Sequence, residues 1–225
     1  MAELIVALDL DSGDEAMAMV DQLPGLEWVK IGPVLFVKEG PAILQRLKQR
    51  GIRMFLDLKW HDIPNTVAKA ARAASDQGVD LATVHALGGG EMIRAAVDAS
   101  GDMKLVAVTV LTSHSRAEYW ATLGAAGGEI GPEAVRLARL AVEAGVHGVV
   151  TSPLEVSDVR QAVGPESWIV VPGIRPIGAV QGDQRRVADP GSAVKAGATH
   201  LVVGRPITRA KRPAEVYQNI RREMR

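Results

Sequence analysis

Short apolar runs recur along the chain, separated by longer stretches with helical patterning. They begin at Leu4, Trp28, Met54, Leu81, Leu105, Gly148, Trp168 and Leu201. Each run is β-branched or otherwise strand-like, and each is too short for a typical helix. The stretches between them carry helix punctuation. Ser12 with Glu15 fits a capping box. Pro41 opens a segment that stops at Gly51, the proline-first, glycine-last asymmetry of helices. Pro64, Pro132 and Pro153 suit first turns, while Gly78 and Gly145 suit helix ends. Strands alternating with helices in this way predict an α/β domain with a parallel sheet.

Two architectures fit that alternation, an open doubly wound sheet and a closed (β/α)8 barrel. An open sheet often seats a phosphate on a glycine-rich first turn. Here the first turn reads Asp9-Leu10-Asp11-Ser12-Gly13, without a G-x-G-x-x-G. Eight strand–helix units in 225 residues suit a compact barrel. The expected fold is therefore a single-domain TIM barrel over residues 1–225, with no segment resembling an interdomain linker. The widest gap between runs, from Leu105 to Gly148, predicts a loop over Thr112 to Gly131, marked by Gly124, Gly127 and Gly128. A second loop is expected from Gly173 to Pro190. It follows a strand end, where long loops bind or cover ligands.

Composition narrows the function. Hydrophobic residues are 47% and charged residues 23%, which excludes disorder for the bulk of the chain. The longest apolar stretches run five to seven residues, as at Leu105 to Leu111, against about 20 for a membrane span. The N-terminus lacks a secretory pattern, so a cytoplasmic protein is expected. Lys plus Arg equals Asp plus Glu at 26 each, which argues against a general nucleic-acid coat and leaves room for a local basic pocket. The absence of cysteine excludes disulfides, thiolate chemistry and cysteine-bound metals. His61 and His114 have no zinc-ligand spacing. Arg221, Arg222 and Arg225 fit a solvated helix end with favourable dipole placement.

Barrel active sites collect at the C-terminal ends of strands. The first strand run ends at Asp9, the second carries Lys30, and the third reaches Asp57 and Lys59. His85 and Thr112 follow the fourth and fifth, Arg175 the seventh, and Gly204-Arg205 the eighth. Asp57 and Lys59 are two apart, so on a strand they face the same way. Asp62 opens the next helix, and Thr66, four residues on, shares its face. A structural salt bridge at the rim would explain Asp57 and Lys59 taken alone. Lys30 on the neighbouring strand changes that, because alternating amines and acids hold each ammonium between carboxylates. Lys59 could then donate a proton with little reorganisation. Gly204 permits close backbone approach and Arg205 can clamp a phosphate, with Arg175 and Gln184 reaching from the seventh loop; a local cap or ion pair is the alternative for Arg205.

The segment Asp57-Leu58-Lys59-Trp60-His61-Asp62-Ile63-Pro64-Asn65-Thr66 resembles the D-x-K-x-x-D signature of orotidine 5′-phosphate decarboxylases in their bacterial form. The resemblance extends through Ala7-Leu8-Asp9, Val29 to Gly32, Val84-His85-Ala86, Leu111-Thr112-Ser113, Val171 to Arg175, Asp183-Gln184 and Val202 to Thr208. Trp60 departs from the aliphatic residue common at its position and should face away from the pocket. The resemblance implies a barrel homodimer that converts orotidine 5′-monophosphate to UMP and carbon dioxide, the last step of UMP biosynthesis, without metal or organic cofactor. It implies that Lys59 protonates C6 and that Asp57 sits against the departing carboxylate. Lys30 and Asp9 would hold the ribose and the charge network, and Thr112 would lie near the pyrimidine. Arg175, Gln184, Gly204 and Arg205 would bind the phosphate side. Asp62 and Thr66 would enter the partner's site. Related magnesium-dependent sugar-phosphate enzymes share the element but carry an acid on strand two, where this chain has Lys30. A non-catalytic phosphate-binding barrel would not need the reactive set.

Overall fold

The computed structural model describes residues 2–125, 127–176 and 187–225. Eight strands close into a parallel barrel in sequence order: β1 (Glu3–Ala7), β2 (Trp28–Ile31), β3 (Arg53–Trp60), β4 (Leu81–His85), β5 (Lys104–Val108), β6 (Gly148–Val150), β7 (Trp168–Val171) and β8 (His200–Val203). β8 returns to β1, pairing Leu201 with Leu4. The fold is a (β/α)8 barrel, and the open-sheet alternative falls away. Every expected strand start lies within one residue of the observed one.

Barrel strands are covered on both faces, which is why the runs are almost continuously apolar. Their period of two still sorts the side chains. Leu4, Val6, Val29, Met54, Leu56, Leu105, Val149, Ile169 and Leu201 point outward into the layer under the helices. Ile5, Ala7, Trp28, Phe55, Leu81, Val106, Val170 and Val202 fill the interior as a separate cluster. The N-terminal end is plugged by aromatic packing. His200 sits 4.5 Å from Trp168 and 6.1 Å from Trp28, with the Arg53 guanidinium 4.6 Å above Trp28. A cavity lies at the opposite end, lined from the C-terminal ends of the strands.

Helices cover the strands where the punctuation lies. Ser12 caps Gly13–Asp21 by accepting from the Glu15 N–H, but the Glu15 carboxylate bonds the Asp11 N–H rather than completing the box at Ser12. Pro64 is the first residue of Pro64–Asp76, and Pro132 lies in the first turn of Ile130–Glu143. Gly78 and Gly145 follow helices with φ of +81° and +101°, a region that favours glycine. The expected loop over Thr112 to Gly131 is a correction: it contains a helix, Arg116–Leu123. Ser115 and Glu118 form a full capping box, and Gly124 ends the helix in the left-handed region. The Tyr119 hydroxyl ties this helix to buried Glu133 at 2.9 Å, and Arg136 clamps the same carboxylate. In the second loop, Ile174 bridges to Ala188, and Asp189 caps Pro190–Lys195; Gln184 lies outside the described residues. Among the described residues, no helix is long and apolar enough to cross a membrane.

Candidate active site

The inward series of each early strand changes character as it nears the C-terminal end. Ala7 is followed by Asp9, Trp28 by Lys30, Phe55 by Asp57, and Leu81 by Thr83, each two residues on. Apolar side chains thus floor the barrel and charged ones line its mouth. They surround a cavity of about 420 Å³. Of the residues singled out in the sequence, Asp9, Lys30, Asp57, Lys59, Thr112, Arg175, Gly204 and Arg205 line it.

The charges alternate as expected. Lys30 Nζ stands 2.9 Å from Asp9 Oδ1 and 3.5 Å from Asp57 Oδ2, and Lys59 Nζ donates to Asp57 Oδ1 at 2.9 Å. Lys30 and Asp57 are nearly sealed, with side-chain exposures of 10% and 13%, while Lys59 reaches the cavity at 35%. Burial alone would raise the Asp57 carboxyl. The charges of Lys30 and Lys59, with hydrogen bonds from Lys59 and Thr83, outweigh it and hold the group below the usual carboxylate range. Asp57 is thus a fixed anion between two cations.

The strand that carries this pair is irregular at that point. β3 and β4 pair Leu56 with Ala82 and then Trp60 with Val84, so three β3 residues, Asp57 to Lys59, stand against Thr83 alone. Lys59 has φ +52°, the only positive φ outside glycine among the described residues. The bulge aims both Asp57 and Lys59 inward. Trp60 packs against the outer core and does not line the cavity.

The remaining expected residues lie elsewhere. Asp62 and Thr66 are exposed, in a shallow depression that shares Lys59 but lies apart from the main cavity. Asp62 accepts from the Ile63 N–H at 2.6 Å. His85 orients backbone: its Nδ1 accepts from the Leu87 N–H and its ring stacks on His61 at 5.5 Å. Burial, then the charges of His61, Lys59 and His114, pushes His85 down to about 4.

Four contributors were not singled out from the sequence. Thr83 hydrogen-bonds both Asp57 and Lys59. Thr151 belongs to the cavity wall, and its hydroxyl is sealed from solvent with no hydrogen-bond partner among the described residues. Arg209 adds a cation near Arg205. Gly32, quoted only within a longer block, leaves room for the Asp9–Lys30 pair, since a Cβ there would fall 2.7 Å from Asp9 Oδ1 and 3.1 Å from Lys30 Nζ. Strand parity was the available signal for Thr83, which continues the inward series of Leu81.

The sequence model of the Orotidine 5′-phosphate decarboxylase / HUMPS family matches residues 2–220. The chain belongs to that family. Its relatives in the Orotidine 5′-phosphate decarboxylase / HUMPS family match over nearly their whole lengths. An orotidine 5′-phosphate decarboxylase of Gloeothece citriformis is 48% identical over 225 residues, covering 98% of this chain and 97% of the relative. One from Anaeromyxobacter dehalogenans is 54% identical over 200 residues, covering 88% and 86%. The crystal structure of orotidine 5′-phosphate decarboxylase from Lactobacillus acidophilus superposes with a TM-score of 0.88 at 36% identity, covering 100% of this chain and 99% of that one.

Proposed function

We infer that the chain decarboxylates orotidine 5′-monophosphate to UMP and carbon dioxide, the closing step of UMP biosynthesis, and that Lys59 supplies the proton. The observation that carries this is the alternating chain Asp9–Lys30–Asp57–Lys59 at the cavity wall, ending in an ammonium that reaches the open space. The bond from C6 to the carboxylate breaks and its electron pair stays on C6. That pair is poorly delocalised. Enzymes lower barriers by about 8–23 kcal/mol, and this reaction needs the upper part of that range. A preset ammonium beside C6 stabilises the developing charge without reorganising, and then forms the new C6–H bond. Solvent returns the proton to Lys59. Asp57, held ionised against the substrate carboxylate, loses a like-charge neighbour when carbon dioxide leaves.

The other cavity residues divide the remaining substrate. Asp9 and Lys30 hold the ribose hydroxyls, and Thr112 faces the pyrimidine. Arg175, Gly204 and Arg205 take the phosphate, with Gln184 assigned there by resemblance. Binding the phosphate far from C6 supplies energy for closing the site. Lys30 also separates this reaction from the magnesium-dependent synthases, because its ammonium occupies the space between Asp9 and Asp57 where a divalent ion would be repelled. Loss of orotidine monophosphate absorbance that persists in excess chelator supports the decarboxylase; activity abolished by chelator and restored by magnesium contradicts it.

The same reading makes the protein a cytoplasmic homodimer, one barrel domain per subunit. Asp62 and Thr66 face outward beside Ile63, which is 65% exposed, and Val34, Val37 and Leu87 on the neighbouring strand-end segments are exposed too. A partner covering that apolar rim would receive Asp62 and Thr66 at its own Lys59. Mixing Lys59→Ala and Asp62→Ala subunits tests it. Half the dimers would be hybrids with one intact site of two, so about a quarter of wild-type activity returns; activity no higher than either parent's rules out a shared site.

A further inference from the structure

We propose that Thr83 is the positioning residue of this site, with one hydroxyl that sets both the acid and the amine. The inference rests on the reading that Asp57 and Lys59 carry the chemistry, and it concerns what holds them there.

Thr83 is completely buried in the middle of β4. It stands opposite the β3 bulge, where three residues face it alone. Its Oγ1 accepts the Lys59 backbone N–H at 2.8 Å and lies 3.1 Å from Asp57 Oδ1. A hydroxyl has one proton and two lone pairs. The Lys59 N–H must meet a lone pair, so the proton goes to the Asp57 carboxylate. The direction of both bonds is therefore determined by the partners. Asp57 Oδ1 then holds two donors, the Thr83 hydroxyl and Lys59 Nζ, while Oδ2 faces Lys30.

The backbone shows why such a group is needed here. Lys59 sits at φ +52°, a conformation that side chains other than glycine adopt at a cost. It also sits in a bulge, where strand pairing does not hold it. The Thr83 hydroxyl satisfies the N–H of that strained residue and, through the same oxygen, orients the carboxylate that anchors its ammonium. Valine has the shape of threonine but neither the lone pair nor the proton. Serine has both.

Thr83→Val, Thr83→Ser and Lys59→Ala, compared in parallel, test this. A loosened ammonium loses alignment with C6 rather than substrate affinity, so Thr83→Val should lower kcat about 10- to 100-fold with KM within about 3-fold. Asp57 also loses a hydrogen bond to its charged form. The acid limb of the kcat–pH profile should therefore move to higher pH, a change that simple loss of packing would not produce. Thr83→Ser should restore both kcat and the limb. If the valine variant does not fold, Thr83→Ala replaces it with the same expectation. Wild-type kcat and an unmoved acid limb in Thr83→Val, or Thr83→Ser as impaired as Thr83→Val, overturn the inference while Lys59→Ala is inactive. Near-normal turnover in Lys59→Ala overturns the underlying site assignment instead, and this inference with it.

Discussion

Lys30→Met separates electrostatic support from packing. Methionine keeps most of the buried stem and removes the ammonium that faces Asp57 at 3.5 Å. At an effective dielectric of about 20, that attraction amounts to about 5 kcal/mol before desolvation. Removing the ammonium also removes its own burial cost, and breaking a buried pair in this way costs about 3 kcal/mol net. The contact to Asp9 adds little, because that carboxylate is 58% exposed. The pH dependence gives a sharper signature. In the native protein Asp57 is held below its ordinary value of 3.8, so its stabilisation is present at neutral pH and lost only as pH falls through the depressed value. In Lys30→Met, burial is opposed only by Lys59 and the Thr83 hydrogen bond, and the carboxyl moves up. Below that raised value the variant takes a proton that the native protein refuses, and the difference between them narrows. Urea denaturation at fixed protein concentration should show a gap of about 3 kcal/mol at pH 8 that shrinks by at least about 1 kcal/mol near pH 5. A gap that stays constant or widens on acidification would refute the buried alternating network.

Three further outcomes follow from the same geometry. Thr151→Val removes a buried hydroxyl without a protein partner among the described residues; it should raise stability by about 1 kcal/mol in urea melts with KM for orotidine monophosphate within about 3-fold, and a destabilised variant contradicts the unpaired hydroxyl. Gly32→Ala is tolerable for the backbone at φ −94° but drives a Cβ into Asp9 and Lys30; it should raise KM about 10-fold with stability changed by less than about 1 kcal/mol, measured by steady-state kinetics and urea melts. His200, buried between two tryptophans, is pushed down to about 4 mainly by burial, with Arg53 adding to the shift and Glu3 opposing it. It binds fewer protons folded than unfolded between about pH 6.5 and 4, so stability falls as pH drops across that window. An imidazole NMR titration should place its midpoint about 4, and a midpoint near 6.5 contradicts the plugged barrel floor.

Strand positions were legible because inner and outer barrel faces each impose a period of two on runs bounded by proline and glycine. Asp9, Lys30, Asp57 and Lys59 were legible because charged side chains interrupt the inward series only at its C-terminal end. Barrel closure was not, since the hydrogen bonds between β8 and β1 leave no local mark. Nor was the bulge, because a two-residue spacing reads identically in a regular strand and in one with Lys59 at positive φ. Thr83 and Thr151 escaped notice as ordinary strand-formers whose importance depends on what stands opposite. The helix Arg116–Leu123 was hidden by its glycine-rich surroundings, although Ser115 and Glu118 announced its start. Asp62 was expected to open the helix that carries Thr66 but lies just before its cap at Ile63, so the two do not share a helical face, although both line the depression apart from the main cavity.

Turnover by Lys59→Ala is the most direct test of whether a fixed ammonium at the cavity edge accounts for the chemistry. The variant should bind UMP within about 10-fold of wild type and unfold normally, while kcat for orotidine monophosphate falls on the order of 10⁴-fold or more, the combined loss of proton donor and preset charge. Turnover within about 10-fold of wild type, with the cavity intact, would mean that another group protonates C6.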